Sequence, residues 1–349
     1  MDLALVWFFL IAALWTAYLV LEGFDFGVGM LMSLLPRGDA AHREKERRVL
    51  VNSIGPVWDG NEVWLITAGA ATFAVFPEWY ATLFSGFYLP LLAILVALIV
   101  RGVAFEYRGK IADAAWARRC DIAIQFGSWV PAILWGVMFA NLVRGVQLDE
   151  SYQYVGGFWA LFNPFALLGG LTTLVLFLLH GAVFVALKTD GEIRARARRF
   201  AGVLSVEALV VAGGWAVWAQ VAYSPAWTWV VVAVAALALV GVFLTNRAGR
   251  EGYAFTLSAL TIVASVVLIF GSMFPDVMPG LDGGTSLSIA AAASTPYTLT
   301  VVTWVAVVLT PLVILYQAWT YWVFRRRLTV GHIPAPGGLT WKKIKESAF

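Results

Sequence analysis

Long apolar runs separated by short polar connections dominate this chain. Nine such runs are read at 3–32, 49–76, 80–105, 122–143, 158–187, 200–222, 227–245, 253–274 and 297–324. At about 1.5 Å of rise per residue, each is long enough as a helix to cross roughly 30 Å of hydrocarbon. The pattern predicts an all-α polytopic membrane protein with nine transmembrane helices.

The connections differ sharply in charge. Of the 24 Lys and Arg residues, all but Arg101 and Arg144 fall in alternate connections or in the tail. Arg37, Arg43, Lys45, Arg47 and Arg48 occupy the first connection. Arg108, Lys110, Arg118 and Arg119 follow in the third, and Lys188, Arg194, Arg196, Arg198 and Arg199 in the fifth. Arg247 and Arg250 lie in the seventh, with Arg325, Arg326, Arg327, Lys342, Lys343 and Lys345 in the tail. The positive-inside rule then places the N-terminus outside and the C-terminus in the cytoplasm. An odd number of spans requires the same result.

Composition narrows the class further. With 61% hydrophobic residues, 13% charged residues and a mean hydropathy of +0.81, the main solvent of this chain is lipid. The net charge of +3 and pI near 9.0 are accounted for by the basic connections, which argues against a nucleic-acid partner. Their simplest roles are topology and contact with anionic lipid. Met1 and Asp2 supply no positive leader and the first run is too long for a signal-peptide core, so the first span is expected to be retained. The single cysteine, Cys120, excludes an intrachain disulfide.

No period of 20 to 50 residues repeats. The outward connection 144–157 separates spans one to four from spans five to eight. A second outward segment, 275–296, carries Pro, Gly and Ser without Lys or Arg and sets the ninth span apart. The expected organisation is a first bundle at 1–144, a second at 145–296, and a ninth helix with a cytoplasmic tail at 297–349. Two four-helix bundles and a peripheral helix describe it.

Acids inside the apolar runs carry the chemistry. Glu22 and Asp25 stand three residues apart in the first run, on one helical face, and Asp59 and Glu62 repeat that spacing in the second. Ionised carboxylates at bilayer depth cost about 2.5 kcal/mol or more, so they usually face a cavity, a counter-charge or a proton route. Counted from Arg37 and Arg48, Asp25 and Asp59 reach similar depths of roughly 17 Å, with Glu22 and Glu62 a turn deeper. Arg101, in the third run, is near enough to act as counter-charge. Gly55 and Pro56 precede Asp59 by a turn, where proline frees the carbonyl of Asn52. The functional reading is a cytoplasm-facing proton-conducting cluster. The structural reading is an ion-pair network that fixes helix register, with Gly23 and Gly27 allowing close helix approach.

Weaker candidates remain. His180 and Glu207 lie equally far from the fifth connection's charges and are expected to meet across that hairpin as a structural pair. His42 and His332 fall in a connection and the tail, which leaves one histidine at membrane depth and makes haem ligation by this chain unattractive. The 17 Trp and 23 Phe residues need no electron-relay role, since aromatics are common in such spans. Asn163-Pro164-Phe165 and the stretch from Phe274 through Pro275, Asp276, Val277 and Met278 to Pro279 read as helix-end and loop punctuation.

Several of these segments resemble subunit II of the cytochrome bd quinol oxidases. They are the run from Glu22 to Met30, the run from Trp58 to Trp64, Phe84-Ser85-Gly86-Phe87-Tyr88, and Phe105-Glu106-Tyr107-Arg108. Asn163-Pro164-Phe165, Met273-Phe274-Pro275 with Val277-Met278-Pro279, and the ninth-run stretch from Thr303 to Leu309 extend the resemblance in matching order. It implies a haem-free subunit of two four-helix bundles and a peripheral helix. The implied partner, subunit I, holds two b haems and haem d, or a third b haem, oxidises quinol and reduces dioxygen to water. Small single-helix subunits and membrane lipid are further implied partners, in a bacterial cytoplasmic membrane. The resemblance assigns Asp59, with Glu22 and Asp25 near it, to a proton path, and Trp64 to an oxygen channel. Glu22 and Glu62 stand where some relatives carry Asp and Gln, so the carboxylate at 62 is not required by the implied proton network. A proton-coupled secondary transporter would also want buried acids, but the second half of the chain lacks a match for the layer of Asp25 and Asp59. A purely structural scaffold would leave the acids without a purpose.

Overall fold

The computed structural model describes residues 2–334 and 338–339. The predicted tail residues Lys342, Lys343 and Lys345 lie outside the described residues. The described chain is predominantly helical: α1 (Leu3–Leu31), α2 (Ala40–Ile54), α3 (Trp58–Val75), α4 (Pro77–Gly86), α5 (Tyr88–Tyr107) and α6 (Ala114–Arg144) form its first part. Then come α7 (Pro164–Lys188), α8 (Gly191–Ala222), α9 (Trp229–Arg247), α10 (Glu251–Met273), the strands β1 (Asp276–Met278) and β2 (Leu287–Ser288), α11 (Ile289–Ala292) and α12 (Pro296–Val323). Eight helices among the described residues are long and apolar enough to cross a membrane: α1, α5 to α10 and α12.

The second and third apolar runs are not single helices, contrary to the sequence reading. In the second, Pro56 has no N–H to donate, and the chain makes a turn from Gly55 to Val57 between α2 and α3. The polar α2 thus takes the first part of that run, and α3 keeps Asp59, Asn61 and Glu62, which leaves it less apolar than the eight. In the third, Pro77 starts α4 at its first position, and a further break at Phe87 separates α4 from α5. The fifth run begins as a 3-10 turn at Phe158–Phe162; Asn163 then caps α7 by accepting from the Ala166 N–H at 3.0 Å. That cap is the punctuation expected of Asn163 and Pro164.

Helix α1 packs against α3, α6, α7 and α10, and α7 also packs against α6 and α8. Across its apolar stretch α7 has 78% of its residues buried, against 6% in α12, so α7 is interior and α12 lies on the periphery. Between helices in lipid, association rests on close packing rather than on expulsion of water. Small residues provide it: a Cβ on Gly27 would fall 2.1 Å from the Phe177 carbonyl oxygen, and Gly181 faces Gly27 from the other side.

The two outward connections are joined. The Val146 N–H donates to the Pro279 carbonyl at 3.0 Å, and the Leu281 N–H donates to the Val146 carbonyl at 2.9 Å. Part of the second segment is ordered as the β1–β2 pair. At the opposite, basic end, many arginines are paired rather than free. Arg108 donates to Asp121 at 2.6 Å and to Glu44 at 2.9 Å. Burial works against its charge, but those two carboxylates outweigh it and hold its pKa above the usual arginine value. Glu46 pairs with Arg196, and Glu251 with Arg194 at 2.7 Å and Arg327 at 3.6 Å, which ties α2 to α8 and α10 to the segment beyond α12.

Candidate functional site

Three helices, α1, α3 and α5, carry the predicted acids and their counter-charge. Arg101, on α5, donates through Nη1 to Glu22 Oε1 on α1, and neither side chain has any solvent exposure. The guanidinium also lies 4.7 Å from the Phe26 ring centre and 5.2 Å from that of Phe105, so it is held by aromatic faces as well as by its carboxylate. This seat depends on a missing side chain across the way. A Cβ on Gly127 of α6 would fall 2.3 Å from the Arg101 Cβ.

Asp25 lies one turn along α1 and is equally buried. Its Oδ2 accepts from Asn61 Nδ2 of α3 at 2.6 Å. Asn61 Oδ1 in turn accepts from Gln317 Nε2 at 2.8 Å and from the Tyr321 hydroxyl at 2.7 Å, both on α12. The order Asp25, Asn61, then Gln317 and Tyr321 makes a continuous polar connection from α1 to the periphery. Glu22 Oε2, Asp25 Oδ1 and two nitrogens of Arg101 are buried without a hydrogen-bond partner among the described residues. The interior here remains polar beyond its direct contacts.

Glu62 and Asp59 lie outside this buried pairing. Glu62 is half-buried, while Asp59 is exposed on the chain's own surface and, among the described residues, accepts only the Gly60 N–H, at 2.8 Å. The break at Gly55–Val57 means that the second run is not one regular helix, and Asp25 meets α3 at Asn61, two residues beyond Asp59. The same break places Asp59 in the first turn of α3, where the positive end of the helix dipole favours its charge. Glu22, Asp25, Glu62 and Arg101 are gathered as expected, and Asp59 stands at the edge.

Asn61, Gln317 and Tyr321 were not singled out from the sequence. An amide inside an apolar run and a Gln and Tyr four residues apart on the last span were the available signals.

Trp64 is 9% exposed, on the side of α3 away from Asp59. A mostly apolar cavity of about 670 Å³ lies beside α3, with Trp15, Leu65, Phe73, Leu95, Trp135 and Met138 among its walls. Its wall is formed by Leu65 rather than by Trp64 itself.

The expected pair of His180 and Glu207 does not form. His180 is fully buried, with Nδ1 2.7 Å from the Ser258 hydroxyl, Nε2 3.2 Å from the Val20 carbonyl, and its ring stacked on Phe255 at 4.5 Å. Glu207 is exposed on α8. Equal distance from a hairpin fixes depth but not the face of the helix, and His180 faces α1 and α10. Among the described residues no cluster of three or more His, Cys, Asp or Glu side chains is placed to hold a metal ion.

Residues 3–324 match the family model described as cytochrome bd terminal oxidase subunit II. The chain is 40% identical over 332 residues to the cytochrome bd ubiquinol oxidase subunit 2 of Bacillus subtilis (strain 168), covering 93% of this chain and 96% of that protein. It is 37% identical over 366 residues to the cytochrome bd-I ubiquinol oxidase subunit 2 of Escherichia coli (strain K12), covering 94% and 95% respectively. A chain in the structure of the bd oxidase from Geobacillus thermodenitrificans superposes with a TM-score of 0.71, covering 93% of this chain and 99% of that one. At 17% identity that likeness bears on the fold alone.

Proposed function

The chain belongs to the cytochrome bd terminal oxidase subunit II family, and on that premise we propose how it serves the respiratory quinol oxidase of which it is a membrane-embedded subunit. It carries protons inward from the cytoplasmic side and gives dioxygen an apolar approach, while a partner, subunit I, holds the haems and performs the redox chemistry. The partner carries two b haems and haem d or a third b haem, takes electrons from quinol and reduces dioxygen to water. The chain crosses the membrane nine times, with α3 as the additional span. The N-terminus lies outside, and two four-helix bundles (1–144 and 145–296) are flanked by α12. Small single-helix subunits and lipid complete the assembly.

The observation that carries this reading is the graded burial of the acids. Asp59 is exposed, Glu62 half-buried, and Glu22 and Asp25 fully buried beside Arg101. A proton relay needs such a series, with an entry open to water or to a partner and inner groups shielded from it. Asp59 also projects from a surface that presents Val63 and Ile66. A charge facing lipid is costly, so a partner that covers this face satisfies both. Inside, Arg101 stabilises one negative charge on Glu22, which leaves Asp25 free to exchange a proton while Asn61 holds its other oxygen.

His180 supports the haem-free reading, because both of its ring nitrogens are already engaged. The mostly apolar cavity beside α3 supports oxygen access. The transporter alternative has only the buried acids in its favour. The test is proton uptake, followed with a pH-indicator dye when the reduced purified complex meets oxygen. Asp25→Asn is expected to slow uptake about tenfold or more with the haem content intact, as loss of a positioned proton carrier commonly costs 10²-fold or more. Uptake at the wild-type rate would refute the relay.

A further inference from the structure

At the basic end, α8 and α9 enclose a cavity of about 510 Å³ lined by Arg198, Arg199, Gly202, Phe243, Asn246 and Arg247. Three guanidiniums and no carboxylate form its walls. A larger cavity of about 1160 Å³ between α2, α5 and α6 also carries arginines, but Glu44, Asp113 and Asp121 line it and neutralise much of their charge. In the smaller one, Arg198 lies 3.7 Å from Glu251, an acid outside the lining. Arg199 and Arg247 are exposed and, among the described residues, neither has an acid within ion-pair distance.

The site is held in place by its own backbone contacts. Arg198 Nη2 donates to the Asn246 carbonyl at 3.0 Å, and Asn246 Nδ2 donates back to the Arg198 carbonyl at 2.8 Å. Arg247 sits over the Phe243 ring at 6.0 Å. Asn246 is 4% exposed, and its Oδ1 is buried with no hydrogen-bond partner among the described residues, as is Arg198 Nε. The cavity therefore offers cationic donors and one unsatisfied acceptor. Next to it, Val203, Val206 and Val210 on α8 and Val240 and Leu244 on α9 leave an exposed apolar surface that runs along the helices.

We propose that this cavity binds the headgroup of an anionic phospholipid, with the phosphate on Arg198, Arg199 and Arg247 and a headgroup hydroxyl donating to Asn246 Oδ1. The acyl chains lie along the apolar surface of α8 and α9. Charge complementarity selects an anionic ligand, and the adjoining apolar surface selects a lipid over a free ion. Basic residues next to an anionic membrane each strengthen such binding by about fivefold.

Native mass spectrometry of the purified oxidase complex, titrated with phosphatidylglycerol or with phosphatidylcholine of the same acyl chains, tests this. One phosphatidylglycerol is expected to be retained about a hundredfold more tightly than phosphatidylcholine, at about fivefold for each of the three arginines. The double variant Arg199→Gln with Arg247→Gln is expected to lose about twenty-five-fold in that binding, whereas Arg119→Gln, exposed on α6 at the same end, leaves it unchanged. Equal retention of the two lipids, an equal loss in Arg119→Gln, or displacement of the lipid by millimolar inorganic phosphate would each overturn the assignment.

Discussion

Arg101 and Glu22 are each untenable at bilayer depth without the other. Removing one partner of a buried ion pair leaves an uncompensated charge and typically costs about 3–5 kcal/mol, whereas replacing both with apolar groups is often tolerated. Arg101→Ala is therefore expected to sharply lower the yield of assembled oxidase. Glu22→Leu combined with Arg101→Met is expected to recover most of the yield without recovering turnover; haem content per membrane protein measures the first and oxygen consumption the second. Equal yields for the single and double variants would mean that the pair does not hold the fold. Trp64 calls for a different measurement, because its turn of about 140° from Asp59, at roughly 100° per residue, separates it from the acids. Trp64→Ala is expected to change the rate of oxygen binding to the reduced enzyme, read by flash photolysis, without moving the pH profile of turnover. A normal oxygen on-rate together with partial loss of the partner would instead make Trp64 a packing residue. Glu22, Asp25, Glu62 and Arg101 were legible in the sequence because charge is rare in apolar runs. Asn61 was not, since its importance comes from contacts with Asp25 and with α12, both far away along the chain.

Helices were legible where their apolar runs lacked breakers, and less so where a proline stood at the edge of a run. The turn at Gly55–Val57 around Pro56 divides the second predicted span into α2 and α3, and the break at Phe87 divides the third into α4 and α5. The face of a helix was harder to read than its extent, as His180 and Glu207 illustrate. Packing at this scale rests on contacts that tolerate little added volume. Gly27→Leu would drive a side chain into the backbone of α7 and is expected to abolish assembly, measured as loss of the complex on size exclusion. Helix α12 is held differently, by Trp7 Nε1 donating to the Thr303 hydroxyl at 2.8 Å and by Gln317 and Tyr321 on Asn61. Gln317→Leu with Tyr321→Phe leaves the Asn61 oxygen unpaired, at a cost of about 1–3 kcal/mol. The expected result is an intact complex with faster proteolysis or hydrogen exchange confined to α12; unchanged exchange there would show that apolar contact alone secures it.

Across the whole molecule, the proposed function divides labour between two subunits. This chain has buried acids, an apolar cavity beside α3 and a basic end stitched by ion pairs, and on the proposed reading its partner supplies the haems. Expressed alone, the chain is expected to contain no stoichiometric haem by pyridine haemochrome assay; one haem per chain would contradict a purely structural role for His180 and its neighbours. The most direct test of the central claim is steady-state quinol-driven oxygen consumption by the complex carrying Asp59→Asn, with haem content measured on the same sample. An amide keeps the shape of the side chain but cannot carry a proton, so turnover is predicted to fall by about tenfold or more in a fully haem-loaded complex. Wild-type turnover with full haem content would reduce Asp59 to an architectural residue and contradict entry of protons through this subunit.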